Sequence, residues 1–110
     1  MSEHLDRFKQ GWLNEDLDMI LNSCAEDFVF DDPVDGRITK ARFADYYRGL
    51  PDGELAFSDE AVQEAGGEET HWWWWALKGP GETEWAQEGT TLVRADADGV
   101  HAQRIAYYKR

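Results

Sequence analysis

Residues 24–48, CAEDFVFDDPVDGRITKARFADYYR, decide the fold. Asp27 to Phe30 is a short run of β formers that stops at Pro33, which has no N–H for a sheet ladder. Asp35-Gly36 then marks a turn. Thr39 offers an N-cap oxygen. Phe43, Tyr46, Tyr47 and Leu50 recur at helical spacing on one side until Gly49 and Pro51 stop the helix. A strand is thus followed at once by an amphipathic helix, with Asp31, Asp32 and Asp35 crowded at the junction.

Upstream, the spacing predicts two helices. Ser2 is a candidate cap with Glu3 in the first turn, and Leu5, Phe8 and Trp12 make one apolar stripe that Gly11 weakens near its end. Asn14 is the expected cap of the second helix, with Glu15 and Asp16 at the positive end of its dipole. Its stripe is Leu17, Ile20, Leu21 and Cys24. Downstream of Glu54 the helical stripe disappears. Leu55 to Glu64 alternates in part, Gly66-Gly67 is a turn, and Thr70 to Lys78 is a tryptophan-rich strand closed by Gly79-Pro80-Gly81. Glu84 to Ala95 is a long strand, and the hairpin turn Asp96-Ala97-Asp98-Gly99 leads into the last, Val100 to Lys109. The order α-α-β-α-β-β-β-β over a single domain, 1–110, is of the α+β class. Asp52 to Glu69, with seven acids and no Lys or Arg, reads as a solvated edge hairpin.

Composition narrows the function. In 110 residues, 23 Asp plus Glu face 11 Lys plus Arg, a formal net charge of −12 that disfavours nucleic acid and anionic membrane surfaces as partners. The longest apolar run is Trp72 to Leu77, far short of the roughly 20 residues that span a bilayer. Disordered acidic chains are poor in aromatics, whereas this one is 14% Phe, Trp and Tyr, so it is expected to fold around a core. The N-terminal residues lack an apolar signal-peptide region, and the single cysteine, Cys24, forms no internal disulfide. A reducing cytoplasm is the expected compartment.

Trp72 to Trp75 in one strand must alternate between its two faces. A ring buries on the order of 150–250 Å², so both faces are expected to be covered: by core and a second subunit, or by a ligand cavity on one side.

Between its Cys-Ala-Glu-Asp step, the strand closing in Asp-Asp-Pro, the glycine turn and the aromatic helix, residues 24–48 resemble the nuclear transport factor 2-like superfamily, specifically its SnoaL-like and ketosteroid-isomerase-like branches. Asp16-Leu17 before the second helix and Asp98-Gly99…Ala106-Tyr107-Tyr108 in the last hairpin fit the same pattern, so the resemblance spans nearly the whole chain. It implies a cone: a curved antiparallel sheet wrapped around three helices, enclosing an apolar pocket near the Asp-Pro turn, with a convex face that forms a homodimer. On that picture His71, Trp73, Trp75 and Leu77 face the pocket, while Trp72 and Trp74 face the partner. Asp32 matches the family's general base, and desolvation among apolar walls would raise its pKa. Phe8 and Thr91 stand where the isomerase has its oxyanion donors, a tyrosine and a protonated aspartic acid. Steroid isomerisation is therefore not expected, and the cyclase branch's late-strand aspartate is also missing.

The resemblance thus implies a small apolar organic ligand and proton transfer without a cofactor, with Asp32 as acid/base and Phe8, Trp12, Phe30, Tyr47, Trp73, Trp75 and Thr91 around the ligand. The alternative is a binding or dimerisation module of the same shape without chemistry. His71 is either an acid–base partner of Asp32 or a packed core histidine. Arg104 and Tyr108 share one parity on the last strand and either hold a polar group of the ligand or belong to the surface. Asp31, Asp32 and Asp35 do not follow the spacing of a calcium loop, so no metal site is expected.

Overall fold

Each apolar stripe needs a partner surface, and the strands supply one. The computed structural model describes residues 3–109, so the proposed cap Ser2 lies outside the described residues. The elements are α1 (Glu3–Leu13), α2 (Leu17–Asn22), β1 (Cys24–Asp32), β2 (Gly36–Thr39), α3 (Lys40–Arg48), β3 (Glu54–Ala65), β4 (Glu68–Lys78), β5 (Gln87–Asp96) and β6 (Gly99–Lys109). The six strands form one curved, unclosed sheet in the order β2-β1-β6-β5-β4-β3, with the helices against its concave face.

Four expectations need correction. The sheet is mixed, not antiparallel: β1 runs parallel to β6, pairing Val29 with Ala102, Phe30 with Gln103 and Asp31 with Arg104. These strands are joined through most of the chain rather than by a hairpin, and only hairpins announce themselves locally. A sixth strand, β2, pairs antiparallel with β1; its four residues are too few to show an alternation. Cys24 begins β1 instead of ending α2. The cap is Asp16, whose carboxylate accepts from the Met19 N–H at 3.0 Å, and the Ser23 carbonyl accepts from the Val100 N–H at 2.9 Å. The Cys24 thiol is buried and donates to the Ile20 carbonyl, and burial pushes its pKa up to about 12.

The core between helices and sheet is aromatic. Phe43 of α3 meets Phe28 edge-on at 5.6 Å, Phe30 at 5.7 Å and Trp12 at 6.0 Å. On β4, His71, Trp73 and Trp75 are buried on the concave side, while Trp72 and Trp74 are half-buried on the convex side. The acidic segment forms β3, an edge strand with a bulge between Ser58 and Ala61. Its exposed carboxylates discourage further strand pairing. No helix among the described residues is long and apolar enough to cross a membrane.

His101 of β6 ties two neighbouring elements together. Its Nδ1 lies 2.5 Å from Asp27 of β1 and its Nε2 lies 2.8 Å from Asp96 of β5. Partial burial lowers its pKa, but the two carboxylates outweigh that and the net direction is up. A raised folded-state pKa means that the stability it supplies is complete below the unfolded value of about 6.5 and is lost as pH rises through the folded value. The Tm gap between the parent and His101→Gln is therefore expected to narrow from about pH 6 to about pH 9. A gap constant across that range would show that the pair does not bear on stability.

Candidate functional site

A cavity of about 630 Å³ lies between the helices and the concave sheet. Its apolar wall includes Trp12, Phe30, Tyr47, Trp75, Ile105 and Tyr107. Asp32, Thr91 and Gln103 supply buried polar groups. A second hollow of about 580 Å³ lies between the start of α1 and the β3–β4 and β5–β6 turns. Five carboxylates and no Phe, Tyr or Trp line it, so it offers nothing to grip an apolar body.

The strand–turn–helix junction positions Asp32. Pro33 turns the chain immediately after β1, so the carboxylate caps its own turn. Oδ1 accepts from the N–H groups of Val34 (2.7 Å) and Asp35 (3.0 Å), and Oδ2 accepts from the Tyr46 hydroxyl of α3 at 2.7 Å. Burial alone would raise the carboxyl pKa. The three donors together outweigh it, and the net direction is down. The direction is thus opposite to the rise that desolvation alone leads one to expect. A carboxylate has about four lone-pair sites, so three donors leave Oδ2 room for one more. Tyr46 is pushed strongly the other way, by burial first and then by Asp32, and keeps its proton.

Removing that donor gives a test. Tyr46→Phe is expected to cost on the order of 1.5 kcal/mol, the range for a hydrogen bond to a charged group, and to raise the Asp32 pKa. The depressed folded pKa of Asp32 makes its stabilisation present above its unfolded value of about 3.9 and lost as pH falls through the folded one. Acid unfolding of Tyr46→Phe should therefore begin from a lower plateau and show a smaller loss. An unchanged denaturation curve would remove the hydrogen bond from the account.

The structure brings Asp32, Trp12, Phe30, Tyr47, Trp75 and Thr91 together around the cavity and places the other expected site residues elsewhere. Phe8 is a core residue packed edge-on to Phe28 at 6.0 Å. Trp73 is buried behind Phe57, with the Lys9 ammonium 5.2 Å from its ring. His71 is fully buried but faces Glu60 (3.4 Å) and Glu69 (3.7 Å), not Asp32. Arg104 and Tyr108 are on the outer face, where Arg104 pairs with Asp31 at 3.4 Å and the Tyr108 hydroxyl donates to Glu88. The opposite parity of β6, Gln103, Ile105 and Tyr107, lines the cavity. Sequence reasoning missed Gln103 and Tyr46 as site residues. The signal for Tyr46 was its place on one stripe with Tyr47; for Gln103 there was none without the register of β6. Among the described residues, only Asp96, Asp98 and His101 come close enough to share a metal ion, and His101 is engaged there by carboxylates on both nitrogens.

Comparison with known proteins adds the family. Residues 5–107 match the SnoaL-like domain. No curated protein matches. Among solved structures, the chain is similar to a cystatin-like-fold protein of unknown function from Nostoc punctiforme (TM-score 0.79, 15% identity, 96% of this chain and 86% of that one). It is also similar to an NTF2-like protein from Cytophaga hutchinsonii (TM-score 0.75, 15% identity, 96% and 93%). A third, from Xanthomonas campestris, is a proposed polyketide cyclase (TM-score 0.66, 15% identity, 93% and 85%). At these identities the likeness is one of fold.

Proposed function

We propose that this chain, which belongs to the SnoaL-like domain family, takes a small, largely apolar organic molecule into the cavity and receives a hydrogen-bond donor of that molecule on Asp32. The observation that carries this reading is a ligand-sized, aromatic-walled cavity with one buried carboxylate that retains an unfilled acceptor direction. A charge-assisted hydrogen bond is worth about 1.5–3 kcal/mol, so Asp32→Asn should weaken binding of a donor-bearing ligand by roughly 10- to 100-fold. Quenching of the cavity tryptophans reports the binding. Equal affinity in parent and Asp32→Asn would remove Asp32 from the site.

A second reading is proton transfer at Asp32, with the Tyr46 hydroxyl, which donates to the same carboxylate, as its companion donor. A carboxylate that accepts a substrate proton loses much of its hold on the Tyr46 hydroxyl. That O–H is then released to donate to the oxygen on which negative charge develops. Mass spectrometry of the bound molecule before and after incubation separates turnover from binding alone. Pairing of two copies through the convex face, where Trp72 and Trp74 are half-buried and Leu92 is 44% exposed, completes the proposal. Trp72→Asp should then shift the sedimenting species from dimer to monomer.

A further inference from the structure

The charge lining the cavity is one-sided. Four carboxylates, Glu15, Asp32, Asp35 and Asp52, border it against one guanidinium, Arg48. Asp32 is buried, whereas Glu15, Asp35 and Asp52 are exposed at the rim, as is Arg48, which lies 3.7 Å from Asp45. No lysine lines the space.

An independent observation points the same way. Gln103 is 4% exposed and lines the cavity, and its side-chain Oε1 is buried with no hydrogen-bond partner. An orphaned buried acceptor costs about 1–3 kcal/mol, and a ligand donor would satisfy it. Gln103 stands beside Phe30 in the β1–β6 register, and Asp32 follows two residues along β1 on the same buried face. Both ask a ligand for N–H or O–H groups. The buried, unpartnered donor on this wall is the neutral Trp12 Nε1, which leaves a place for one oxygen of the ligand without changing the charge balance.

The walls suit a cation as well. The faces of Trp and Tyr attract ammonium groups, and Trp12, Tyr47, Trp75 and Tyr107 all border the space. Two of these phenols register the local field. Tyr47 is pushed up by burial and then by Glu15 and Asp16, and Tyr107 by burial and then by Asp32 and Asp35. The lining carboxylates do not come close enough together to hold a bare metal ion, since the described grouping that does so is elsewhere. The positive charge must therefore arrive on an organic body large enough for the apolar wall.

We propose that the ligand of this cavity is an apolar amine carried as its ammonium ion, with its N–H groups donated to Asp32 and Gln103 and its charge faced by the aromatic wall. The inference rests on the reading that the cavity holds a ligand, and goes beyond it by naming the chemical class.

The experiment uses a panel of aryl skeletons of one to three rings. Each skeleton is prepared as the amine, the alcohol and the carboxylate, and titrated against the full chain by tryptophan fluorescence near neutral pH. The amine of the best-fitting skeleton is expected to bind at least about tenfold more tightly than its alcohol. The carboxylate should bind weakest, and the amine's advantage should shrink as salt is raised. Asp32→Asn should bring amine and alcohol to similar affinity. Asp52→Asn, at an exposed loop position, should reduce the amine preference in the same direction by a smaller factor. Gln103→Met should weaken the amine several-fold. An alcohol that binds as tightly as its amine overturns the inference and leaves the cavity reading standing. Failure of every member of the panel to bind overturns the cavity reading and the inference with it.

Discussion

Gly89→Val is expected to cost about 3 kcal/mol or more, in the upper range for overpacking, and to lower Tm by more than about 10 °C. Gly89 lies in β5 between Trp75 on β4 and Tyr107 on β6, whose rings approach to 5.9 Å. A Cβ placed there would sit 2.1 Å from the Ala106 carbonyl oxygen, 2.7 Å from the Tyr107 Cβ and 2.8 Å from the Tyr107 Cα. The carbonyl oxygen and the Cα belong to backbone and the Cβ is fixed to it, so no rotamer change relieves the clash. The glycine lets the sheet curve here while two aromatic rings cover the bare backbone. Gly66→Ala is the control. Gly66 has a positive φ of 60° but no atom within 4 Å of a new Cβ, so it should lose only the left-handed penalty of about 1–2 kcal/mol. If both variants melted at the same temperature, the close approach at Gly89 would not be what holds the curvature.

Phe43→Ala is the second large effect, about 3–5 kcal/mol. Phe43 is fully buried on α3, and its ring lies within 5.6–6.2 Å of those of Trp12, Phe28, Phe30, Tyr46 and Tyr47. Removing it leaves a hole where α3 seats on the sheet, and α3 carries the hydroxyl that holds Asp32. Stability and ligand affinity should therefore fall together. Phe43→Leu fills most of the volume and should recover much of both. A Phe43→Ala protein of parental stability would show that α3 is held by something other than this aromatic cluster.

The junction that opens the chain's second quarter was legible because its signals are local. Pro33, Asp35-Gly36, the Tyr46–Tyr47 stripe and Gly49 each restrict their own few residues, and together they make strand, turn and helix. The tryptophan strand was legible for the same reason. Alternation is a property of one strand, so Trp73 and Trp75 had to share a face whatever lay next to them. The acidic edge followed from composition, since a run of carboxylates with no cation of its own favours solvent; of the seven, only Glu69, at the start of β4, is buried.

β6 shows where local reading ends. Its alternation separates Gln103, Ile105 and Tyr107 from Arg104, Ala106 and Tyr108, but nothing within the strand says which set faces inward. The parallel pairing of Phe30 with Gln103, between strands at opposite ends of the chain, makes that choice. It sends Arg104 to Asp31 on the surface and Gln103 into the cavity. His71 and Phe8 moved for a related reason. Both are on the inner side, as their periodicity requires, but the inner side is longer than the cavity, and tertiary packing decides where the open space falls.

The class of fold, the strand–turn–helix junction that holds Asp32 and the division of the tryptophans between two faces were readable along the chain. All three depend on interactions among neighbours a few residues apart. The inward parity of β6, the extent of the cavity and the direction of the Asp32 shift came from the packed molecule. Those depend on register and on donors brought from distant positions, such as the Tyr46 hydroxyl 14 residues along the chain, and a one-dimensional pattern carries neither.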